Sequence, residues 1–358
     1  MSVFLSKTNI KRILAIDLMR AFAVFMMVQG HTVHSLLNVS SINTNSFVFQ
    51  TWLFFRAFTA PLFIFSSGLV FSYLLFQKKF DFKANSRISK GINRGITLIL
   101  IGYLLRFPTI KIFNLSYTSH SQWLTFFTVD ALHLIGVGLL LIILIAYLSA
   151  KIRINPIISF AILTIIVFLV SPFISKIGWN NSDNILIASY FTSKFGSIFP
   201  LFPYLEFIFF GAIFGIIIAQ NRELITKKKI LFALFLVGSI LFYFSHLVDY
   251  VYLDSFLRFG AILILFSVFG FIGSHRNSLP RIVESFSKNS LWIYIIHLII
   301  LYGSPTSIGL THIVGNLSAE LTIFLAVFMV ILMAIISLGI DKLRVGKFNY
   351  FRKNLELE

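Results

Sequence analysis

Ten stretches of mostly apolar residues recur along this chain, and that recurrence decides what it can fold into. A run of about 20 apolar residues crosses a bilayer as a helix. In lipid every backbone N–H and C=O must be paired within the protein, which a helix does by itself. The chain therefore reads as an all-α, polytopic membrane helical bundle of about ten transmembrane helices. The expected spans lie near 13–37, 47–76, 92–107, 129–149, 156–173, 200–220, 229–247, 255–273, 289–304 and 320–340. Composition agrees: 12% of residues are charged, against about 25% in soluble domains. No repeat or linker divides the chain, so residues 1–358 read as one transmembrane domain. Leu355–Glu358 carries no structural weight.

Lys7, Lys11 and Arg12 precede the first apolar run, which is too long and lacks the small-residue site of a cleavable signal peptide. It reads as a retained span. Net charge is +17, which in a soluble chain would raise nucleic acid as a partner. Here the charge follows topology. Of the 30 Lys and Arg residues, 23 fall at the N-terminus, in the segments 77–94, 150–155, 221–229 and 274–288, and in the tail. Only Lys111, Lys176 and Lys194 fall in segments on the other side. By the positive-inside rule both termini are cytoplasmic, no nucleic acid is expected, and the bilayer is the partner. The expected location is a bacterial cytoplasmic (inner) membrane.

The first span, RILAIDLMRAFAVFMMVQGHTVH over residues 12–34, carries Asp17 and Arg20 near its start and His31 and His34 near its end. Asp17, Arg20, Val24, Met27, His31 and His34 follow three- and four-residue steps and share one helix face. Ionisable groups inside a membrane helix are costly and by default face a cavity or the bundle interior. With the orientation above, Arg56, Arg106, Asp130, His133, Glu206, His246, Asp249 and Arg258 fall in the outer half, and His297 midway. This concentration predicts an outward polar cavity connected inward along the Arg20-to-His31 face. Each residue also has a plain reading. Asp17 and Arg20 suit an i,i+3 ion pair, Arg106, Asp130 and Arg258 can snorkel to an interface, and His34, His133 and His246 can join neighbouring helices. Aromatic and polar residues in the long connections 108–128 and 174–199 (Tyr117, His120, Gln122, Trp123; Trp179, Asn180, Asn181, Asp183) suit covering a site or anchoring helix ends.

The chain has no cysteine, which excludes disulfides, thiolate catalysis and Cys-based metal sites. No GxSxG elbow, HxxxH or HExxH occurs, and HTVH alone is weak, so no metal is expected. His31 can act as a general base on a hydroxyl or amine. Neighbouring arginines can hold a phosphate or an oxyanion.

Five segments together resemble a known family. RILAIDLMRAFAVFMMVQGH is similar to the opening signature of integral-membrane acyltransferases. PLFIFSSGLVFSYLL (Pro61–Leu75), DALHLIGVGLLL (Asp130–Leu141), FPLFPYLEFIFFGAIFG (Phe199–Gly215) and SFSKNSLWIYIIHLIIL (Ser285–Leu301) resemble its later motifs, in order. The chain is thus identified as a member of the heparan-α-glucosaminide N-acetyltransferase-like family, with acyltransferase family 3 a more distant relative. The resemblance implies transfer of an acyl group, in the first place acetyl, from acetyl-CoA or another acyl-CoA to a sugar or glycan acceptor across the membrane. It places His31, Arg20 and Asp17 as catalytic residues and matches Gly68 and His297 to later motifs. His34, Arg56, Arg106, Asp130, His133, Glu206 and His297 are the expected substrate-binding set. Two departures stand out: Ala21 replaces the glycine after the second arginine, and the heparan branch has Asn where this chain has His31. The competing readings are a transporter or flippase of lipid-linked sugars and a membrane sensor or scaffold. Without an internal repeat the transporter pattern is weak. Acceptor, acyl length and oligomeric state, a homodimer included, stay open.

Overall fold

The computed structural model describes residues 13–77, 80–82, 84–107, 119–177, 179, 184–247, 250–304 and 307–355, without side chains at 175, 250–251 and 345–355. Expectations resting on Lys7, Lys11, Arg12, Lys111, Tyr117, Asn180, Asn181, Asp183 and Asp249 lie outside the described residues, as does most of the terminal Leu355–Glu358.

Helix starts follow the local chemistry. Ser46, Asn85, Asp130 and Asn155 each accept a backbone N–H of the helix they precede, and Pro156 opens one of them. Among the described residues fifteen α-helices result: α1 Leu14–Leu36, α2 Phe47–Ala57, α3 Thr59–Leu75, α4 Ser86–Leu105, α5 His120–Phe127, α6 Ala131–Lys151, α7 Pro156–Lys176, α8 Ile185–Phe191, α9 Leu201–Gln220, α10 Lys228–Phe244, α11 Tyr250–Ser274, α12 Arg281–Lys288, α13 Ser290–Tyr302, α14 Leu310–Val314 and α15 Ala319–Leu355. A two-residue ribbon pairs Gly303–Ser304 with Ser307–Ile308.

Each of the ten expected spans falls on helix, the one at 47–76 on two. Eight stretches are long and apolar enough to cross a membrane, with α2 and α3 counted as one. The other two, α10 and α13, have 17 and 13 residues. The protein is an all-α integral membrane protein. The span expected at 47–76 breaks at Phe58, where α2 ends and α3 begins. Pro61 explains the break, because its ring clashes with the carbonyl four residues back, at Ala57. α4 begins six residues before the expected 92, since Asn85 caps it and Arg87, Lys90 and Arg94 can keep their charged tips in water. α15 runs well past the expected 340. The connections 108–128 and 174–199 contain α5 and α8, short helices that apolar periodicity over spans does not reveal.

Small residues set the packing. α3 and α9 run parallel, with Gly211 against Phe65 and Leu69 and Gly215 against Leu69 and Tyr73. α4 crosses α6 at Gly95 and Gly136, and α10 crosses α11 at Gly238 and Gly260. Close backbone approach of this kind holds helices together where lipid is as apolar as leucine. α1 lies at the middle, touching α3, α11, α12, α13 and α15. α7 turns Ile158, Ile162, Ile165 and Ile166 outward, as a lipid-facing helix does. The end of α1 is pinned by Leu317, whose N–H donates to the Leu36 carbonyl (2.7 Å) and whose carbonyl accepts from Asn38 (2.9 Å).

A side chain at Gly211 would strike the backbone of Phe65, whereas Gly339 on α15 has open space around it. Gly211→Leu is expected to cost at least about 1–3 kcal/mol through overpacking. Thermal unfolding in detergent should show a clear fall in Tm for Gly211→Leu and none for Gly339→Leu.

Candidate functional site

The polar face of α1 meets one partner along its length. At its start, Ser287 of α12 donates to the Asp17 carboxylate (2.6 Å), and Arg20 donates to Ser290 at the start of α13 (2.6 Å). Asn289 between them donates to Ser337 and Asp341 of α15. α13 therefore runs parallel to α1, and one turn before its end His297 reaches His31. The two imidazole centroids are 5.4 Å apart, and the His31 and Tyr302 rings 6.2 Å. His31 Nδ1 lies 3.4 Å from the Tyr302 hydroxyl. The three- and four-residue spacing thus does what it implies: one stripe of α1 carries Asp17, Arg20 and His31 to α12 and α13. His31 is half-buried and His34 exposed.

α2 adds the cation. Trp52 donates its indole N–H to Gln29 of α1 (2.7 Å), and the Arg56 guanidinium lies 5.4 Å from the Trp52 ring. Gly30 lies against Arg56, whose Cγ would be in ordinary contact, at 3.6 Å, with a Cβ there. Arg56 lies within electrostatic reach of His31, His34 and Tyr302.

Behind this group α4 and α6 carry a second one. Asp130 caps α6, accepting from the backbone of Leu132 (2.9 Å) and His133 (3.3 Å). The His133 Nδ1–H donates to the same carboxylate (2.9 Å), and Arg106 approaches it at 3.6 Å while donating to Thr128. The contact of the Asp130 N–H with His133 Nδ1, at 3.3 Å, is the weaker alternative for that nitrogen. Gly102 makes the space that the His133 ring fills. Tyr103 packs edge-on to His133 (4.3 Å) and shares a hydrogen bond with Tyr190 of α8 (3.1 Å). Burial, and then that bond, push the Tyr190 phenol above its ordinary range. Tyr294 links the two groups: its ring packs edge-on to His297 (5.8 Å) and it lies within electrostatic reach of Asp130.

Glu206 belongs to a third group. Fully buried on α9, it accepts from Ser255 (2.7 Å) within electrostatic reach of Arg258, which stacks on Tyr204 and pairs with Asp254 (3.1 Å). The structure therefore divides the expected outer cluster. His31, His34, Arg56 and His297 come together, and Arg106, Asp130 and His133 stand one tyrosine away. Glu206 stands with α11, and Asp17 and Arg20 sit at the opposite end of α1. Fourteen residues separate Asp17 from His31, about 21 Å along a helix. Among the described residues no group of three or more His, Cys, Asp and Glu could hold a metal. Sequence reasoning passed over Tyr302 and Trp52. Gln29 lies in the opening motif and Ser287, Ser290 and Tyr294 lie in the Ser285–Leu301 motif, but nothing in their spacing marked them as contacts.

A family model described as "Heparan-alpha-glucosaminide N-acetyltransferase, catalytic" matches residues 12–248. The chain belongs to this family. An acetyltransferase-type function goes with that membership. No curated protein and no solved structure matches the chain. The matched residues hold His31, Arg56, Arg106, Asp130 and Glu206, while His297, Tyr294 and Tyr302 lie beyond them.

Asp130 supports Arg106, His133 and the first turn of α6 at once. Asp130→Ala removes one partner of a buried pair and is expected to destabilise by about 3–5 kcal/mol. Asp130→Asn keeps a good N-cap residue and should lose less. The order of their Tm values in detergent, Ala below Asn below wild type, checks this.

Proposed function

We propose that this protein is an acyl-CoA-dependent membrane acyltransferase that moves an acyl group, in the first place acetyl, from cytosolic acyl-CoA to an extracytoplasmic sugar or glycan. The observation that carries the reading is the placement of His31. It lies inside the segment shared with the acetyltransferase family, half-exposed, with an arginine, a tyrosine and a second imidazole around it.

The orientation taken with this reading puts the basic ends of the helices in the cytoplasm of a bacterial inner membrane, with both termini there. The donor arrives at that end. A cleft of about 290 Å³ opens there beside the start of α1, lined by Ile13, Leu14 and Arg222 among others. The acceptor arrives at the His31 end. His31 takes the proton of the acceptor's hydroxyl or amine as that group attacks the thioester carbonyl. The new C–O or C–N bond forms, the C–S bond breaks, and the proton returns to the CoA thiolate. Arg56, within reach of His31, holds the developing oxyanion or orients the acceptor. His34, exposed one turn on, binds the acceptor. Arg106, Asp130, His133 and His297 support that wall from behind, and Glu206, buried against Ser255, stands apart from it. Asp17 and Arg20 act from the other end by holding α12 and α13 against α1.

A general base contributes about 10²–10⁴-fold, so His31→Ala should lower turnover by at least about 100-fold while acetyl-CoA still raises the Tm of the protein. A thiol-reactive dye reads the CoA released from acetyl-CoA in the presence of glucosamine. The chain has no cysteine to give a background signal. Wild-type turnover in His31→Ala overturns the role of His31, and no CoA release by the wild type favours a transporter of sugars.

A further inference from the structure

His297 has 0% exposure and one nitrogen committed. Its Nδ1 lies 2.7 Å from the carbonyl of Ile293, one turn back on α13. A carbonyl only accepts, so Nδ1 carries the proton and Nε2 of the neutral ring carries a lone pair. Among the described residues that Nε2 has no hydrogen-bond partner. A buried acceptor left open in an apolar bundle is costly, and most buried side-chain polar atoms are engaged. The neighbour in reach is His31, at 5.4 Å between ring centroids with the rings tilted by 54°, a separation at which a ring rotation that faces their nitrogens lets them share a proton. His31 turns its Nδ1 toward the Tyr302 hydroxyl (3.4 Å), so that contact does not occupy its Nε2.

We propose that His297 is a positioning residue: its Nε2 accepts the Nε2–H of His31 and so keeps the His31 lone pair on Nδ1, at the half-exposed Tyr302 side. This rests on the reading of His31 as the general base. In the transfer step the acceptor's O–H or N–H bond breaks and its proton goes to His31 Nδ1. His297 shares the resulting charge through Nε2–H···Nε2 without a net proton of its own. The proton on Nδ1 then goes to the departing thiolate. The carbonyl of Ile293 plays the part an orienting group plays behind any catalytic imidazole, fixing which nitrogen bears the proton. His133 has the same open Nε2, but its ring is boxed by Tyr103 and Gly102, and among the described residues no second imidazole packs against it.

The test reads the His31 lone pair directly and needs no acceptor. Detergent-purified full-length protein is treated with diethyl pyrocarbonate, which acylates an imidazole through its free lone pair. Mass spectrometry then compares modification of His31 with that of exposed His34 in the same molecule. In His297→Leu, His31 loses its acceptor, takes the Nδ1–H tautomer toward Tyr302 and turns its lone pair to an apolar wall. The His31/His34 ratio is expected to fall about fivefold or more, whereas in His297→Gln, whose carbonyl can still accept, it stays within about twofold of wild type. A His297→Leu ratio within about twofold of wild type, or a His297→Gln ratio as low as that of His297→Leu, overturns the proposal. The CoA-release assay is separate: a ratio that falls as expected in a protein that releases no CoA keeps the pairing and removes the acyltransfer reading.

Discussion

The contact between α1 and the α12–α13 pair is the constraint on which the rest of the arrangement turns. Two short bonds, Ser287 to Asp17 and Arg20 to Ser290, fix both the direction and the register of α13 against α1. Helix packing in lipid has little hydrophobic preference to choose one register over another. Polar groups that find no water must find each other, so each such bond acts as a pin. With the lower ends pinned, His297 meets His31 rather than another level of the helix. The upper end is pinned again by Leu317, through its bonds to Leu36 and Asn38. The histidine pair is thus held at both ends by bonds that take no part in it.

The costly residues are arranged by degree of burial. Asp130, His133, Glu206 and His297 are 2% exposed or less, whereas His31, Arg56 and Arg106 are half-buried and His34 is exposed. The most buried groups are those with fixed partners: a helix N-terminus and Arg106 for Asp130, Ser255 for Glu206, the Ile293 carbonyl for His297. The less buried ones are His31 and the two arginines. Under the proposed function, a rigid, buried rear wall behind a wetter face is what would hold the site to its geometry.

How much of this was legible in sequence depends on the physics each feature uses. Length and apolarity are local, so all ten spans read out as helices. Their ends were blurred wherever a cap or a proline, at Asn85 and Pro61, rather than hydropathy decided them. The stripe on α1 was legible because helical spacing is a property of one segment. Which helix would face it was not, since Ser287, Tyr294 and Tyr302 come from some 270 residues away and no local pattern encodes a partner. Depth in the bilayer grouped Glu206 with the histidines, but depth says nothing of position around the bundle, and α9 carries Glu206 to Ser255 of α11 instead. α5 and α8 were missed because two-turn helices are too short for a periodic signal.

The boundary of the family match bears on what kind of site this is. The matched residues end at 248, yet the groups nearest His31 include His297 and Tyr302, on a helix of 13 residues. A helix that short cannot span the hydrocarbon by its own length. It stays in register because α12 precedes it, Asn289 ties the junction to α15, and Thr311 of α14 donates to the Leu301 carbonyl at its far end. The shared segment therefore supplies the half-exposed histidine and arginine, and the remainder of the chain supplies the buried partner with its scaffold. A site split in this way makes the reactivity of His31 depend on how firmly α13 is seated, because a shift of α13 by one helical turn would replace the open Nε2 of His297 with an apolar side chain.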